Sequence, residues 1–137
     1  MTIRRGELSD LEAIRAIQQA SPEAAQWEPR EYLQYDLQVA VRDDAVAGFL
    51  VTRTLAEGES EILNLAVAPQ WRRQGVARAL LAACLRHRDG DTYLEVRSSN
   101  QAAQKFYRSA GFQPVAERPQ YYSAPGDSAI VMKFHSC

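Results

Sequence analysis

An acidic side chain stands in the middle of the predicted strand TYLEVRS, residues 92–98. Alternation along this strand puts Tyr93, Glu95 and Arg97 on one face, so a carboxylate occupies a position where a β-branched residue is expected. A carboxylate held in this way can act as a general base that removes a proton from an amine. It can equally form a cross-strand ion pair, for example with Arg97 beside it. The sequence leaves both interpretations open.

A second chemical signal is the stretch WRRQGVARALL, residues 71–81, where two arginines and a glycine precede a helical apolar pattern. A helix that begins near Gly75 directs unpaired backbone N–H groups outward and carries a partial positive charge, which favours a bound phosphate. Glycine permits close backbone approach, and arginine suits phosphate geometry. RRQG alone would favour a solvated basic helix start, but its setting between a strand and a helix favours the anion site. The common Gly-rich nucleotide-binding motifs are absent from the sequence.

Two further polar residues frame the helix predicted from QAAQKFYRSAGF, residues 101–112. Tyr107 falls on the apolar stripe beside Phe106, where a buried aromatic ring is the default interpretation. Asn100 directly precedes the helix, and asparagine is a preferred N-cap residue. Neither position demands a chemical role from its pattern alone.

The elements that must position these residues begin with a helix and a meander. Ser9 and Glu12 have capping-box spacing, and a helix bearing Leu11, Ile14 and Ile17 follows. Pro29 in EPREYLQYDL favours the first turn of a short second helix. Three strands then follow, joined by turns at 43–44 and 57–59, which predicts an antiparallel meander.

The second half of the chain predicts a crossover unit. A helix follows the WRRQ loop, with a glycine, Gly90, beyond its end, and TYLEVRS should lie parallel to the preceding strand. The Tyr107 helix, with Gly111 after it, and two strands around PVAER and SAIVMKF complete the chain. The sequence therefore predicts an α/β fold with a mixed, mostly antiparallel central sheet flanked by about four helices.

Composition limits the function classes. A chain of 137 residues is expected to form one domain, 1–137, and its 16 basic and 17 acidic side chains do not suggest a bulk nucleic-acid binder. Cys84 and Cys137 show neither a disulfide framework nor a metal-ligand spacing, which favours a reducing cytoplasm and implies no metal. No signal segment or membrane span is predicted, because the longest apolar run is short.

Three stretches carry a family resemblance: residues 59–81, 93–112 and 118–134. They resemble the GNAT family of N-acetyltransferases, and within it the bacterial ribosomal-protein-alanine N-acetyltransferases. The likeness is close from Glu59 to Phe134 and extends to the first half only in the order of elements. The family's pyrophosphate signature has Gln or Arg, two residues, Gly, one residue, then Gly or Ala. Arg72, Gly75 and Ala77 satisfy it.

The resemblance implies that acetyl-coenzyme A is the co-substrate. Its pyrophosphate would be bound by the signature region, and its pantetheine arm and thioester by backbone groups of β-strand residues together with an asparagine. The implied coenzyme-binding residues are Arg72, Arg73, Gln74, Gly75, Val76, Ala77, Arg78, Leu65, Ala66, Val67 and Asn100. The Val67 N–H is expected to donate to the oxyanion. Similar enzymes use the residues matching Glu95 as general base, often through water, and Tyr107 as the acid that protonates the leaving thiolate.

The resemblance implies that the acceptor is a primary amine. An α-amine with a pKa near 8 is neutral in roughly a fifth of molecules at about pH 7.4, whereas a lysine amine is neutral in only about a thousandth, so a single carboxylate base suits protein N-termini better. By resemblance, Tyr121 and Tyr122 belong to a peptide-side loop, although an aromatic pair packing that loop onto the sheet is the alternative. Trp27 resembles a tryptophan before the second helix, yet its surroundings, EAAQWEPREY, depart from the pattern.

The sequence leaves three functions open. The preferred one is acetylation of an N-terminal alanine or serine, by resemblance that of a small ribosomal-subunit protein. The second is acetylation of a small amine such as a polyamine or aminoglycoside. The third is a non-catalytic domain that binds acetyl-coenzyme A. The presence of both Glu95 and Tyr107 argues against the third.

Overall fold

The computed structural model describes residues 1–86, 88–119 and 127–136. These residues form three α-helices and seven strands. In chain order they are β1 (Thr2–Arg5), α1 (Leu11–Gln19), β2 (Asp36–Arg42), β3 (Ala45–Ala56), β4 (Glu59–Val67), α2 (Val76–Arg86), β5 (Gly90–Arg97), α3 (Gln101–Ser109), β6 (Gln113–Arg118) and β7 (Ala129–Ser136). Short 3-10 helices cover Leu8–Asp10, Pro29–Gln34 and Pro69–Trp71.

The strands form one sheet in the order β1-β2-β3-β4-β5-β7-β6. β1 and β2, β2 and β3, β5 and β7, and β6 and β7 pair antiparallel, whereas β4 and β5 pair parallel. The parallel pair is joined through α2, because parallel neighbours need a crossover rather than a hairpin. The α/β fold with a mixed, mostly antiparallel sheet is confirmed.

The β2–β3 hairpin shows how local sequence sets the register. Asp43 and Asp44 both have positive φ, 52° and 61°. Two left-handed residues between antiparallel strands give the turn whose twist matches that of the sheet, and aspartate tolerates this conformation better than most residues. The turn predicted at this position is confirmed.

The chain divides into two compact units. Unit 1 comprises Met1–Arg53 and Ile62–Arg88, and unit 2 comprises Thr54–Glu61 and Asp89–Cys137. The prediction of a single domain over 1–137 stays a prediction. Among the described residues, no helix is long and apolar enough to cross a membrane.

Unit 1 has its apolar core between α1 and the sheet. Its members are shielded from water and come from α1, the Pro29–Gln34 helix, strands β2 to β4 and the residue that follows β4: Ile14, Ile17, Tyr32, Leu37, Val39, Phe49, Val51, Ala66 and Ala68. The predicted stripe of α1 is therefore the face that is buried. Pro29 lies in the first turn of its helix as predicted, but the helix is of the 3-10 type.

Unit 2 is built around β5, β6 and β7. Leu94 and Met132 are directly opposite each other on β5 and β7, and both are buried. Phe112 packs against Phe134 with ring centroids 5.5 Å apart. Gly111, at φ 105°, follows α3 as predicted.

Three local features differ from the sequence predictions. Strand β1 was not predicted, because TIRR has no apolar alternation. The capping box is formed by Glu7 and Asp10 rather than by Ser9 and Glu12, and Arg4 holds the Asp10 carboxylate through two hydrogen bonds of 2.8 and 2.9 Å. Gly90 is the first residue of β5 rather than the glycine that ends α2, and glycine is needed there because a Cβ would overlap the Gly58 carbonyl oxygen.

Candidate active site

The start of α2 leaves backbone N–H groups without intrahelical partners. Residues 72–75 form an exposed turn in which Arg73 and Gly75 have φ of 61° and 82°. The Gly75 carbonyl accepts the first helical hydrogen bond from the Ala79 N–H, at 3.0 Å. The N–H groups of Val76, Ala77 and Arg78 therefore precede the first intrahelical donor and are oriented along the helix axis toward the turn.

Glycine at position 75 is not required by internal packing. A Cβ built there would meet no atom within 4 Å, so the reasons for glycine are its positive φ and access to the backbone. The first turn of α2 has no acidic residue, and Arg73 and Arg78 are exposed beside it. This combination of open backbone, helix polarity and cationic side chains fits a diphosphate.

Arg72 has internal partners. Its Nε donates to the Val67 carbonyl at 3.1 Å, and a terminal nitrogen donates to the Ala20 carbonyl at 3.0 Å and to Ser21 Oγ at 2.9 Å. This side chain therefore ties the turn before α2 to the end of β4 and to the end of α1. Direct contact of Arg72 with the coenzyme stays a prediction.

The end of β4 alternates between a buried and a half-buried face. Asn64 and Ala66 are buried, whereas Leu65 and Val67 are half-buried. The Leu65 N–H donates to Asn64 Oδ1 at 3.0 Å, and the Val67 carbonyl accepts from Arg72. The predicted coenzyme-binding residues 65–67 and 72–78 therefore lie in the same compact unit, unit 1, and Arg72 connects the two segments.

Glu95 lies on the half-buried face of β5, as the alternation predicted, with 22% of its side chain exposed. Its Oε1 is 3.2 Å from a guanidinium nitrogen of Arg118 on β6. The ion-pair interpretation named the wrong arginine, because Arg97 instead pairs with Asp127 at 3.3 Å. Glu95 thus has a cross-strand partner and solvent access at the same time.

Tyr107 is held by neighbouring rings. Its ring packs edge-on against Phe106 and Phe112, with centroids 5.2 and 5.5 Å away. Burial raises the pKa of the Tyr107 phenol, because the charged phenolate would be poorly solvated. The hydroxyl therefore remains protonated at neutral and mildly alkaline pH, as a proton donor requires.

Asn100 caps α3. Its Oδ1 accepts from the Ala103 N–H at 3.1 Å, which confirms the capping interpretation. Gln104 Nε2 donates to the carbonyls of Arg97 and Ser98, at 3.2 and 3.0 Å, and so holds the connection between β5 and α3. Contact of Asn100 with the pantetheine arm stays a prediction.

Asp127, which sequence reasoning missed, holds the connection between β5 and α3 in place. It is 7% exposed and accepts from Ser98 Oγ at 2.9 Å, Ser99 N–H at 3.2 Å and Ser99 Oγ at 3.1 Å. Burial alone would raise its pKa, but these donors and Arg97 hold the pKa below its usual value. No periodic signal links Asp127 to serines about thirty positions earlier in the chain.

Trp27 is 36% exposed, and its ring lies nearly parallel to that of buried Tyr32 at 6.1 Å. Its carbonyl accepts from Gln18 Nε2 at 2.6 Å. Trp27 therefore presents an aromatic surface from an ordered backbone. The predicted acceptor residues Tyr121 and Tyr122 lie outside the described residues. Within those residues, no group of three or more His, Cys, Asp or Glu side chains is arranged to hold a metal ion.

Comparison with known proteins identifies similar chains. The family model described as Acetyltransferase (GNAT) family matches residues 7–112. A [ribosomal protein bS18]-alanine N-acetyltransferase of Escherichia coli strain K12 is 32% identical over 145 residues, covering 96% of this chain and 95% of that protein. An uncharacterized protein of Mycobacterium leprae is 43% identical over 76 residues, 55% of this chain, and the match spans only 21% of that protein.

A solved structure is similar over nearly the whole fold. The crystal structure of the ribosomal-protein-S18-alanine N-acetyltransferase from Escherichia coli matches with a TM-score of 0.83 and 30% identity. The match covers 99% of this chain and 94% of that one.

Proposed function

Because the chain belongs to the GNAT family of acetyltransferases, we propose that it transfers an acetyl group from acetyl-coenzyme A to the N-terminal α-amine of a protein. The observation that carries this proposal is the start of α2, where helical N–H groups meet an open glycine. The proposed acceptor is an N-terminal alanine of a small ribosomal-subunit protein. The name of the Escherichia coli relative supports this choice.

The coenzyme would be held mainly by backbone groups. The N–H groups at 76–78 and the positive end of α2 favour the diphosphate, and exposed Arg73 and Arg78 add charge. When bound, acetyl-coenzyme A supplies the activated acetyl thioester. The backbone of Leu65, Ala66 and Val67 would lie beside this group, with the Val67 N–H stabilising the developing oxyanion.

Two side chains would move the protons. Glu95 accepts a proton from the acceptor ammonium, directly or through water that its exposed edge admits. Tyr107 keeps its hydroxyl proton because of burial and supplies it to the leaving thiolate. Glu95 is thus the proposed proton acceptor, and Tyr107 is the proposed proton donor.

The acceptor assignment rests on chemistry and on likeness. A single carboxylate base suits an α-amine with a pKa near 8, since a useful fraction of that amine is already neutral at cytoplasmic pH. Trp27 supplies an exposed ring over which a peptide can lie. The cytoplasmic location belongs to the same proposal, because the acceptor is a ribosomal protein.

A panel of acceptors tests the function. The chain is incubated with acetyl-coenzyme A and with peptides beginning in Ala, Ser or Met, the same peptides with a blocked N-terminus, a lysine peptide, a polyamine and an aminoglycoside, while free thiol is measured. The proposal predicts the highest kcat/KM for a peptide with a free N-terminal alanine and background rates for the same peptide with a blocked N-terminus. Preference for a small amine would contradict the proposed protein acceptor. Background rates with every acceptor would contradict the proposed acetyltransferase activity.

A further inference from the structure

Asn64 is a buried amide inside a strand. It is 6% exposed and alternates with Ile62 and Ala66 on the buried face of β4. Asparagine is depleted in strand interiors and is usually exposed, because its amide loses hydrogen bonds to water when it is buried. The side chain must therefore find internal partners.

The side-chain amide of Asn64 forms hydrogen bonds through both its nitrogen and its oxygen. Nδ2 lies 2.9 Å from the Ala25 carbonyl oxygen, 3.0 Å from the Tyr32 hydroxyl and 3.3 Å from Gln18 Oε1. Since an amide nitrogen has two hydrogens, the two shorter contacts are its main bonds. On the other side, Oδ1 accepts from the Leu65 N–H at 3.0 Å. One side chain thus joins Ala25 to the backbone beside Leu65.

The segment reached by Asn64 depends on such bonds for its shape. Residues 20–28, here called the Trp27 loop, contain no helix or strand. Gln18 Nε2 donates to the Trp27 carbonyl, while the Tyr32 hydroxyl donates to Gln18 Oε1. Asn64 and Gln18 therefore hold the carbonyls on either side of residue 26.

Loss of the hydrogen bond to the Ala25 carbonyl is expected to be unfavourable. A buried donor or acceptor left without a partner costs about 1–3 kcal/mol, and members of a buried network depend on one another. The Tyr32 hydroxyl reinforces this network as a neutral donor, because burial raises the pKa of its phenol. The position of the Trp27 loop is thereby coupled to the position of Leu65.

We infer that Asn64 is a positioning residue for the acceptor: it holds the Trp27 loop at a set distance from the β4 backbone at Leu65. This inference rests on the proposed function, in which the β4 backbone lines the acetyl group and the Trp27 loop receives the acceptor peptide. Asn64 touches neither substrate. It determines where the peptide lies relative to the thioester.

Asn64→Asp is the sharpest variant, because it changes the amide nitrogen to oxygen at nearly constant shape. The carboxylate still accepts from the Leu65 N–H but cannot donate to the Ala25 carbonyl, which it repels. With the peptide that has a free N-terminal alanine, the KM for the peptide should rise about tenfold or more, while the KM for acetyl-coenzyme A changes less than about twofold. Asn64→Ala should show the same split with a smaller rise.

Ser60→Ala is the matched control. Ser60 is also buried on β4, on the same face as Asn64, and its hydroxyl bonds Thr92 Oγ1 at 3.2 Å, so the variant loses a buried hydrogen bond without touching the Trp27 loop. It should lower the melting temperature by an amount comparable to Asn64→Ala and leave the acceptor KM unchanged. An equal rise of acceptor KM in the control, or equal rises of both KM values in the Asn64 variants, would overturn the inference.

Hydrogen exchange tests the loop without using activity. Amides of residues 20–28 should exchange at least about tenfold faster in Asn64→Asp than in the wild type, and at the wild-type rate in Ser60→Ala. Unchanged exchange in Asn64→Asp would overturn the inference even in an active enzyme. If the wild type were inactive with all acceptors, the proposed function would fall, and the exchange result would still decide whether Asn64 holds the loop.

Discussion

The turn before α2 and the β5–α3 region differ in the groups that would do the chemistry. In the turn, the donors are backbone N–H groups at the start of a helix. In β5 and α3, the groups are side chains, the carboxylate of Glu95 and the phenol of Tyr107. Backbone donors survive most side-chain replacements, whereas a side-chain acid or base is removed by a single one. The two regions should therefore fail in different ways when mutated.

The largest effect is expected when the turn before α2 is filled by a side chain. Gly75→Glu places a carboxylate beside the helix start, where no atom of the protein lies within 4 Å, and also strains a residue with φ 82°. Losing two bonds to a charged phosphate at about 1.5–3 kcal/mol each should weaken coenzyme binding by about a hundredfold to more than ten-thousandfold, as measured by calorimetry.

Gly58→Glu is the control for this change. Gly58 also has a positive φ, 75°, and open space around it, but it lies in the turn between β3 and β4. Its variant should keep wild-type coenzyme affinity. Equal affinity losses in the two variants would mean that backbone strain alone explains the effect.

The next effect is expected on β5. Glu95→Gln keeps the shape but loses the basic carboxylate, and kcat should fall about a hundredfold to ten-thousandfold while coenzyme affinity stays within about twofold. Arg118→Met removes the ion-pair partner and retains the carboxylate, so its kcat should stay within about threefold of wild type. The reverse order, with the arginine variant the more damaged, would favour a purely structural ion pair.

A smaller loss is expected at α3. Tyr107→Phe keeps the ring contacts with Phe106 and Phe112 and removes only the hydroxyl, so kcat should fall about tenfold to a thousandfold with little change in melting temperature. A wild-type rate in this variant would show that the thiolate leaves without a protein acid.

The pH profile separates the two side chains further. The kcat/KM should rise as the acceptor amine loses its proton around pH 8 and then stay level to about pH 10. Because burial raises the Tyr107 pKa above its usual value, the protonated donor persists over this range. A decline between about pH 8 and 9.5 would mean that the acid group is something other than this phenol.

The difference between the turn before α2 and the β5–α3 region also explains which features could be predicted from the sequence. Three features are each formed by residues that are neighbours in the chain, so local patterns determine them: the start of α2, the hairpin at Asp43 and Asp44, and the Asn100 cap. The Arg118 partner of Glu95 and the Asp127 network join residues far apart in sequence. Local periodicity carries no record of such pairs, because only the folded sheet brings them together.

The same reasoning applies to Arg72. Its place in the signature sequence suggested a phosphate contact, but its internal bonds to Val67, Ala20 and Ser21 depend on the tertiary structure. Arg72 thus has a structural role that the motif does not reveal, whereas the role of Gly75 follows from its own backbone conformation.

The smallest effects should come from the exposed cations. Arg73→Ala and Arg78→Ala should each weaken coenzyme binding only about twofold to fivefold, because exposed charges are screened by water and salt. The losses should shrink at high ionic strength. A loss as large as that of Gly75→Glu would place the binding energy in side chains rather than in the backbone.

A crystal structure of the chain with coenzyme A tests the central claim most directly. We predict diphosphate oxygens about 2.7–3.2 Å from backbone nitrogens in the first turn of α2, between Val76 and Arg78. Diphosphate bound at another surface, with these N–H groups facing only water, would contradict the account.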